Sequence, residues 1–584
     1  MKFRRKIGLM RIGIGVVLAI SAPLAATTAG AQTPPGASMT EPYTPAKDAK
    51  DLKAVLFNWM WGTGMLKGHD ERDMVASLEY QGKGTIQVDG QPCTLTKYRA
   101  STNYQTFSQR IQYSCTRANG QTYSNIEVVS GLYAWNEDIR CAEIGPTKGK
   151  ATPMAAAVQE RLIRIWASPQ GAPKAAVAGT TDTFWLGANP GTLFDGGVAK
   201  VGQTSVSWET GKPVVTFPIP GVPGAIATAT LDAKYMVERV VVTQGATTTE
   251  FTYSNYKDWN NPLNQIEVFY AGKSVERRNG AVVRDLTTDV TETGNVYVVA
   301  PVPASVQAAI KVTGQIPRGV FAKPDAPVDK AAPTPRLAGH PDLTGSWAYT
   351  DWIGNYMTGG GRRCGPTQNK DCNRSVNQTE DFELYSPSRF GNLNRPIYKP
   401  QHWDKVQELD MWTNKYDPVM TCQPLGVPRQ GPPRRIYQSE NDITFLYLGG
   451  DAGGGYGEYR IIPTDGRARP KEAEFDITYM GNTVGRWEGD TLVLDSIAFI
   501  DTTWFGRGGL FHSDRMHVVE RFTRQGDVIL YDVTVEDPEV LVEPWVLPTR
   551  TVRRNTNPNA GLLRERGNCE TSFETEAAAT QIRH

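Results

Sequence analysis

The sequence predicts a mainly β protein built from two β-rich domains. Three observations carry this prediction. Apolar and polar residues alternate along most of the chain, and pairs typical of hairpin turns, such as Asp89-Gly90 and Asn279-Gly280, separate the runs. The chain has 584 residues, too many for one core, because domains usually have roughly 100 to 200 residues. Residues 314–340 are rich in proline and alanine without apolar periodicity, which predicts a linker between the domains.

Residues 1–31 have the pattern of a secretory signal peptide. A basic start, "MKFRRK", leads into the apolar run "IGLMRIGIGVVLAISAPLAA", and the small residues "AGA" end at position 31. We therefore expect a periplasmic or secreted protein. Later apolar runs are all shorter than the roughly 20 residues that cross a bilayer, so we expect no transmembrane segment after signal cleavage.

The charge balance argues against nucleic acid as a partner. Lys and Arg number 62 against 61 Asp and Glu, a net charge of +1, and no basic block could neutralise a run of phosphates. The glycine-rich stretch from Gly449 to Arg460 lacks a following Lys-Ser/Thr and the spacing of a dinucleotide-binding loop. We therefore expect no nucleotide cofactor.

Seven cysteines without a CxxC pair predict disulfides in an exported protein rather than metal thiolates. Cys93 and Cys115 enclose two strands folded about a central loop, which places them opposite each other. The other pairings are open to alternatives, and the ones we expect are Cys364 with Cys372 and Cys422 with Cys569. Cys141 is then left over, as a free thiol or as an intermolecular partner.

Two helices interrupt the β pattern of residues 41–313. The first lies in "DLKAVLFNWMWG", where apolar residues recur on one helical face. The second lies in "TPMAAAVQERLIRIWASP", with Thr152 as N-cap and Pro153 at the first helical position. Both apolar stripes require a sheet to cover them.

The segment "EFTYSNYKDWNNPLNQIEVFYAG" resembles the outer-membrane lipoprotein carrier superfamily. This resemblance implies that residues 41–313 form a half-barrel sheet whose concave face is filled by the two helices. In that superfamily the concave face receives acyl chains, which implies a hydrophobic or amphipathic ligand. Related half-barrels also serve as accessory domains, so lipid carriage does not follow from the fold.

Residues 341–584 predict an antiparallel β-barrel or sandwich with long loops. Strand-like runs in "NTVGRWEGDTLVLDSIAF" and "MHVVERFTRQGDVILYDVTVEDP" have hairpin turns at Gly489 and Gly526. The motifs "GRWEGDTLVLDS", "FHSDRMHVVERF" and "TVEDPEVLVEPW" resemble a large group of exported bacterial proteins of unknown function. That resemblance implies a domain and a compartment but no chemistry.

The stretch "LFHSDRMHVVERF" is the most site-like part of the sequence, because it holds His512 and His517. In a strand, His517 and the glutamate three residues later lie on opposite faces and cannot bind one ion. If His512 curled back toward His517, a divalent metal could be bound with Asp495 as third ligand. We favour no metal here. The alternatives are a hydrogen-bonded histidine at a strand entrance and metal-free acid-base catalysis, with Asp514 and Arg521 as further catalytic candidates.

Arginines and tryptophans supply candidates for ligand binding in the same domain. Arg429 and Arg434 could hold a carboxylate or phosphate in a bidentate way, although such arginines more often pair with neighbouring acidic residues. Trp352, Trp403 and Trp412 could stack on sugar rings or aromatic ligands, or belong to the core.

Two hypotheses about function follow. The first, which we favour, is an exported protein that binds a hydrophobic or amphipathic small molecule, lipid or glycan, with a C-terminal recognition domain. The second is an exported hydrolase or lyase, possible with or without a metal, centred on His512 and His517. Common hydrolase signatures such as GxSxG and HExxH are absent from the sequence.

Overall fold

Short turns organise the N-terminal part of the chain, as predicted. Asp89 and Asn279 have backbone φ angles of 51° and 46°, and each is followed by a glycine, the arrangement that two-residue hairpin turns require.

The structure is a computed structural model that describes residues 45–65, 75, 77–104, 106–144, 149–180, 202–259, 268–293, 298–312, 333–348, 396–411, 416–418, 423–447, 458–506, 509–547 and 549–557.

Several predicted features lie outside these described residues. They are the signal peptide, most of the linker and of the glycine-rich stretch, Trp352, Trp412, and the cysteines Cys364, Cys372, Cys422 and Cys569.

Thirteen antiparallel strands form one N-terminal sheet. Strands 1 to 6 and strands 7 to 13 follow one another as neighbours, and β1 pairs with β13 to join the two halves. The strands are β1 (Ser77–Val88), β2 (Gln91–Asn103), β3 (Ser108–Thr116), β4 (Thr122–Ser130), β5 (Tyr133–Glu137), β6 (Ala151–Pro153), β7 (Ser205–Glu209), β8 (Lys212–Pro218), β9 (Ile226–Leu231), β10 (Val237–Gln244), β11 (Thr247–Asp258), β12 (Phe269–Arg278) and β13 (Ala281–Thr293).

Three helices pack on one face of this sheet: α1 (Leu52–Gly62), α2 (Val158–Trp166) and α3 (Gly171–Ala178). Helix α1 lies where the sequence predicts it. The predicted start of α2 is wrong, because Thr152 pairs with Asn136 of β5 in the sheet and a 3-10 turn precedes the helix. The sequence did not predict α3, whose described side chains are buried on nearly all sides.

The sheet curls around these helices. One apolar cluster includes residues of α1, α2 and α3 together with strands from both halves of the sheet. Glu127 of β4 lies 2.9 Å from Arg284 of β13, although these strands are four positions apart in the sheet. In a flat sheet that separation is roughly 19 Å, more than the two side chains can span. The sheet is therefore a half-barrel with helices in its concave face.

The C-terminal part contains a nearly closed barrel of ten strands. In the order of the sheet, β19, β18, β17, β16, β27, β25, β24, β21 and β20 are neighbours, and β26 pairs with β25. Their bounds are β16 (Gly345–Ala348), β17 (Arg435–Gln438), β18 (Asp442–Leu446), β19 (Tyr459–Pro463), β20 (Asn482–Glu488), β21 (Thr491–Ile497), β24 (His517–Gln525), β25 (Val528–Glu536), β26 (Trp545–Val546) and β27 (Arg550–Arg554).

Two short two-stranded sheets flank this barrel. They are β14 (Arg336–Leu337) with β15 (His340–Pro341), and β22 (Trp504–Gly506) with β23 (Leu510–Phe511). The first of them lies at the C-terminal end of the predicted linker.

The two ends of the barrel sheet meet at β19 and β20. The Gly466 amide donates a hydrogen bond to the Gly485 carbonyl at 3.3 Å. A Cβ atom at position 485 would lie 3.0 Å from the Pro463 carbonyl oxygen, so glycine permits this close approach. The sequence left open a barrel or a sandwich, and the structure is barrel-like.

The side chains of β24 point alternately into the barrel and to its outer face. Val518, Glu520 and Phe522 are buried, whereas His517 and Arg521 lie on the outer face, as predicted for a strand. The sequence therefore predicted correctly which side chains of β24 share a face.

A helix and a tryptophan connect the barrel to the N-terminal sheet. Trp403 begins α5 (Trp403–Met411), and the guanidinium groups of Arg110 and Arg140 each lie 5.2 Å from its ring. On the same side of the sheet, α4 (Ala304–Ala309) packs against β5 and β6 through a separate apolar cluster. No helix among the described residues is long and apolar enough to cross a membrane.

A disulfide joins Cys93 and Cys115 on the neighbouring strands β2 and β3, which confirms that predicted pair. Cys141 is a buried free thiol. The bridge closes a loop with a sequence separation of 22 residues.

We expect the double variant Cys93→Ala/Cys115→Ala to lose about 3 kcal/mol of unfolding free energy, because the unfolded chain is no longer cross-linked. Chemical denaturation of the purified protein measures this. Cys141→Ala removes a thiol but no cross-link and should lose less. Equal losses in both variants would contradict the expectation.

Candidate functional site

His512 is a buried histidine with both ring nitrogens hydrogen-bonded. Its Nδ1 lies 2.9 Å from the Ser513 carbonyl oxygen, which can only accept, so this nitrogen carries the proton in the neutral ring. Nε2 then accepts from the Thr503 hydroxyl at 2.6 Å. The ring stacks on Phe505, and burial lowers the pKa of His512 below its usual value.

His517 lies apart from this arrangement, on the outer face of the barrel. Its Nε2 is 3.1 Å from Asp495 and its Nδ1 is 3.0 Å from Glu536. Arg469 also reaches Asp495, at 2.6 Å. The structure thus brings together two of the three predicted metal ligands, His517 and Asp495, while the nitrogens of His512 are used elsewhere. Among the described residues no group of three or more His, Cys, Asp or Glu is placed to hold a metal ion.

The other two catalytic candidates are at the surface of the barrel. Asp514 has an exposed side chain with Arg515 at 3.9 Å, and Arg521 pairs with Glu488 at 2.9 Å. The described contacts of Asp514 and Arg521 do not involve His512, so they do not join the three residues in one reaction centre. Catalysis by these residues stays a prediction.

The predicted ligand contacts that the structure describes are engaged within the protein. Arg429 is buried and forms a bidentate ion pair with Asp417 at 2.8 and 2.7 Å. Trp403 is 4% exposed and contributes its ring to the contact between the two sheets. Arg434 is half-buried beside β17, and its backbone pairs with Leu446.

The N-terminal half-barrel contains a cavity of about 40 Å³ between its concave face and α2. Five tyrosines contribute to its wall, together with hydroxyl, amide and charged groups. The lining residues are Tyr80, Tyr98, Thr102, Tyr104, Gln109, Arg164, Ser168, Phe251, Tyr253, Tyr270, Ser274, Val275, Glu276, Arg284 and Leu286. They come from six strands of both halves of the sheet, from the residue that follows β2, and from α2 and the segment after its C-terminal end.

A network of buried ion pairs forms one side of this cavity. Arg164 of α2 contacts Glu276 through Nε at 3.1 Å and Nη2 at 3.3 Å. Arg284 lies 3.4 Å from the same carboxylate and 2.9 Å from Glu127. Glu160, one helical turn before Arg164, accepts a further hydrogen bond at 2.9 Å.

The network shifts the pKa values of Glu127, Glu160, Arg164 and Arg284 toward their charged forms. Burial raises the pKa of Glu160, but Arg164 and Arg278 outweigh that effect and the pKa lies at about 2. Burial likewise opposes ionisation of Glu127, yet Arg284 and Arg164 lower its pKa. The acidic partners keep the pKa of Arg164 well above its usual value despite burial. All of these groups are therefore ionised at neutral pH.

The tyrosine hydroxyls beside this network are uncharged; Tyr253 donates to the Ala167 carbonyl at 2.9 Å, whereas those of Tyr80 and Tyr98 are loosely bonded. Burial raises the pKa values of Tyr80, Tyr253 and Tyr270 well above 10, so these groups donate and accept hydrogen bonds but do not act as bases. The hydroxyls of Tyr80 and Tyr98 are 3.4 Å apart, and Arg284 Nη1 is 3.5 Å from Tyr98. Well-formed hydroxyl bonds are shorter, about 2.7–2.8 Å.

Sequence reasoning missed this cavity. The available signal was in α2, where Arg161 and Arg164 stand next to Leu162, Ile163 and Ile165 and are both buried. Buried charges require partners, and the alternating strands offered Glu127 and Glu276 as candidates. What the sequence did not provide was the curl that brings these elements together.

The fold defines an antiparallel β protein with a curled sheet and a barrel, and a cavity lies within the curl of the sheet. No protein-family model matches the chain, and no curated protein matches it. Among solved structures, a DUF1329 family protein from Desulfovibrio piger matches with a TM-score of 0.25 and 7% sequence identity. The match covers 42% of this chain and 94% of that chain. The similarity is too low to assign a function, and the resemblance to lipoprotein carriers stays a prediction.

Arg164→Met should lower the free energy of unfolding by roughly 3–5 kcal/mol, because it removes one of the cations that compensate the buried carboxylates of Glu127 and Glu276. Lys83→Met provides a matched control. Lys83 pairs with Asp289 at 3.0 Å, but both side chains are exposed, so about 1 kcal/mol or less should be lost. Urea denaturation of both variants tests this, and losses of similar size would contradict it.

The depressed pKa of His512 predicts a loss of stability in acid. Unfolded histidine takes up a proton near pH 6.5, whereas the buried ring stays neutral to lower pH. The unfolded state therefore binds more protons in this window, and stability falls as the pH drops below about 6.5.

His512→Gln should flatten that decline. His402 also has a pKa lowered by burial, so the informative quantity is the difference between the variant and the wild type. Urea midpoints measured at several pH values between about 5 and 8 provide it. A His512→Gln profile parallel to the wild type would refute the assignment.

Proposed function

We propose that the protein binds a small amphipathic molecule in the cavity of its N-terminal half-barrel. The observation that carries this proposal is the composition of the cavity wall, where aromatic rings and loosely bonded hydroxyls face a space that the helices leave open. Ligand sites typically combine apolar and aromatic walls with a few converging polar groups.

The wall also indicates the chemistry of the ligand. The rings of Tyr80 and Tyr270, whose centroids are 5.1 Å apart, provide surface for its apolar part. Hydroxyls such as those of Tyr98 and Ser274 provide hydrogen bonds for its polar part. Because Glu127 and Glu276 together already compensate Arg164 and Arg284, a ligand carboxylate would compete with them. A neutral hydroxyl or amide group fits without that competition.

The size of the cavity limits the ligand. A volume of about 40 Å³ holds a few water molecules, so any larger ligand must displace side chains at the wall. The contacts of 3.4 and 3.5 Å around Tyr98 are weak enough to be exchanged for contacts with a ligand. Helices α1 to α3 occupy the remaining concave face, which favours a compact molecule over a long acyl chain.

We place this binding domain within residues 41–313, a linker within 314–340 and a second domain within 341–584. The Cys93–Cys115 disulfide supports a location outside the cytoplasm, because disulfides persist in oxidising compartments. The signal-like residues 1–31 support the same location.

Native mass spectrometry of the full-length protein purified from its own host tests the proposal. We expect an additional mass, released on denaturation, in the wild type and in Ser254→Trp, whose site lies exposed on β11. Ser274→Trp places the same ring inside the cavity and should abolish the additional mass. Absence of any additional mass in the wild type, or its retention in Ser274→Trp, would refute cavity binding.

A further inference from the structure

The outer face of β17, β18 and β19 carries a small patch of apolar side chains that no described part of the protein covers. Tyr437, Tyr459 and Ile461 are 46%, 63% and 66% exposed. Their neighbours along the strands, such as Ile436 and Ile462, point into the barrel and are buried. The exposed side chains therefore occupy positions that a barrel normally gives to polar residues.

The register of the three strands brings these side chains together. Tyr437 lies opposite Thr444, which lies opposite Ile461. In the adjacent row of the same face, Arg435 lies opposite Leu446, which lies opposite Tyr459. We call these two rows, Tyr437-Thr444-Ile461 and Arg435-Leu446-Tyr459, the aromatic platform.

The remainder of the outer barrel face is different in character. On β20, β21, β24 and β25 charged pairs lie on the outer face, as in Arg521 with Glu488 at 2.9 Å and His517 with Asp495 at 3.1 Å. The apolar side chains between them, such as Val493 and Val519, are buried or half-buried. Other exposed apolar residues of this part of the chain, such as Phe475, Ile477 and Val546, lie on other segments.

The area of the platform argues for a narrow partner. Three strands span roughly 10 Å, and two alternate positions along a strand add roughly 7 Å. That area is far below the roughly 800 Å² per partner that a stable protein interface buries. A single extended chain or a small ligand fits a surface of this size.

Charge defines the partner further. The Arg435 guanidinium lies 5.1 Å from the centroid of the Tyr437 ring. The side chain is half-buried and its Nε is buried without a hydrogen bond to a described residue, so the terminal nitrogens are the donors left for a ligand. A flat ring beside a guanidinium provides a stacking surface and a donor for carboxylate oxygens at one place. Thr444 adds a hydroxyl in the middle of the row that begins with Tyr437.

We propose that the aromatic platform binds a carboxylated polysaccharide. Pyranose rings, whose faces carry C–H groups, stack on Tyr437 and Tyr459, and a sugar carboxylate bonds to Arg435. This site lies in the barrel and does not depend on the cavity of the half-barrel.

Affinity electrophoresis of the full-length protein under native conditions tests this proposal. The gels contain polygalacturonate, alginate or hyaluronate as acidic polymers, and dextran or hydroxyethylcellulose as neutral ones. We expect retardation by at least one acidic polymer, and an affinity on the order of tenfold lower in Tyr437→Ala and in Tyr459→Ala. Arg435→Gln should reduce the preference for the acidic over the neutral polymers.

The controls separate stacking from general charge attraction and from misfolding. Tyr437→Ala and Tyr459→Ala keep the net charge of the protein and remove only exposed rings, so the midpoint of thermal unfolding should not change. Phe475 is 83% exposed but lies outside the three strands, so Phe475→Ala should be retarded like the wild type.

Three results would overturn the proposal. The first is the absence of retardation by all three acidic polymers. The second is equal retardation of the wild type and of the double variant Tyr437→Ala/Tyr459→Ala. The third is self-association of the wild type that the double variant loses, without any effect of polysaccharide, which would identify the platform as a protein interface.

Discussion

The ion pairs among Glu127, Arg164, Glu276 and Arg284 impose the constraint on which the N-terminal half-barrel depends. They join β4, α2, β12 and β13, which can meet only if the sheet curls. Desolvation makes buried ion pairs weak sources of net stability, so their main effect is to specify one geometry. That geometry also frames the cavity, because Arg164, Glu276 and Arg284 line its wall. The same ion pairs therefore hold the sheet in its curved form and form part of the cavity wall.

The barrel uses a comparable arrangement for a different purpose. Arg460 of β19 lies 2.6 Å from Glu520 of β24 and donates to Ser496 of β21 and Thr483 of β20. These bonds cross the seam between β19 and β20, where the strands lack a regular ladder of hydrogen bonds. Tyr531 and large apolar side chains fill the rest of the interior. Because side chains fill the described interior of the barrel, we expect the barrel to bind a partner with its outer surface.

Local rules predicted the parts of the structure that depend on short distances along the chain. The turn at Asp89, the facing of β24 and the Cys93–Cys115 bridge all follow from patterns within about 25 residues. The predicted start of α2 failed because pairing of Thr152 with Asn136 in the sheet outweighed its cap preference. The Glu127–Arg284 contact spans a separation of 157 residues, and no local pattern encodes it. The same limit applies to His512, whose burial depends on packing with residues such as Phe505.

Strand β3 separates the two proposed sites physically. Gln109 faces the cavity, whereas its neighbour Arg110 reaches Trp403 on the opposite face, because successive side chains of a strand point to opposite sides. The barrel therefore contacts the convex face, one sheet thickness away from the cavity. Arg110 is held there by Glu137 at 3.6 Å and by the Val299 carbonyl. A ligand in the cavity can act on the barrel through this contact only by moving the backbone of β3, which is paired on both edges along its length. Such a strand resists displacement, so we expect binding at one proposed site to leave binding at the other unchanged.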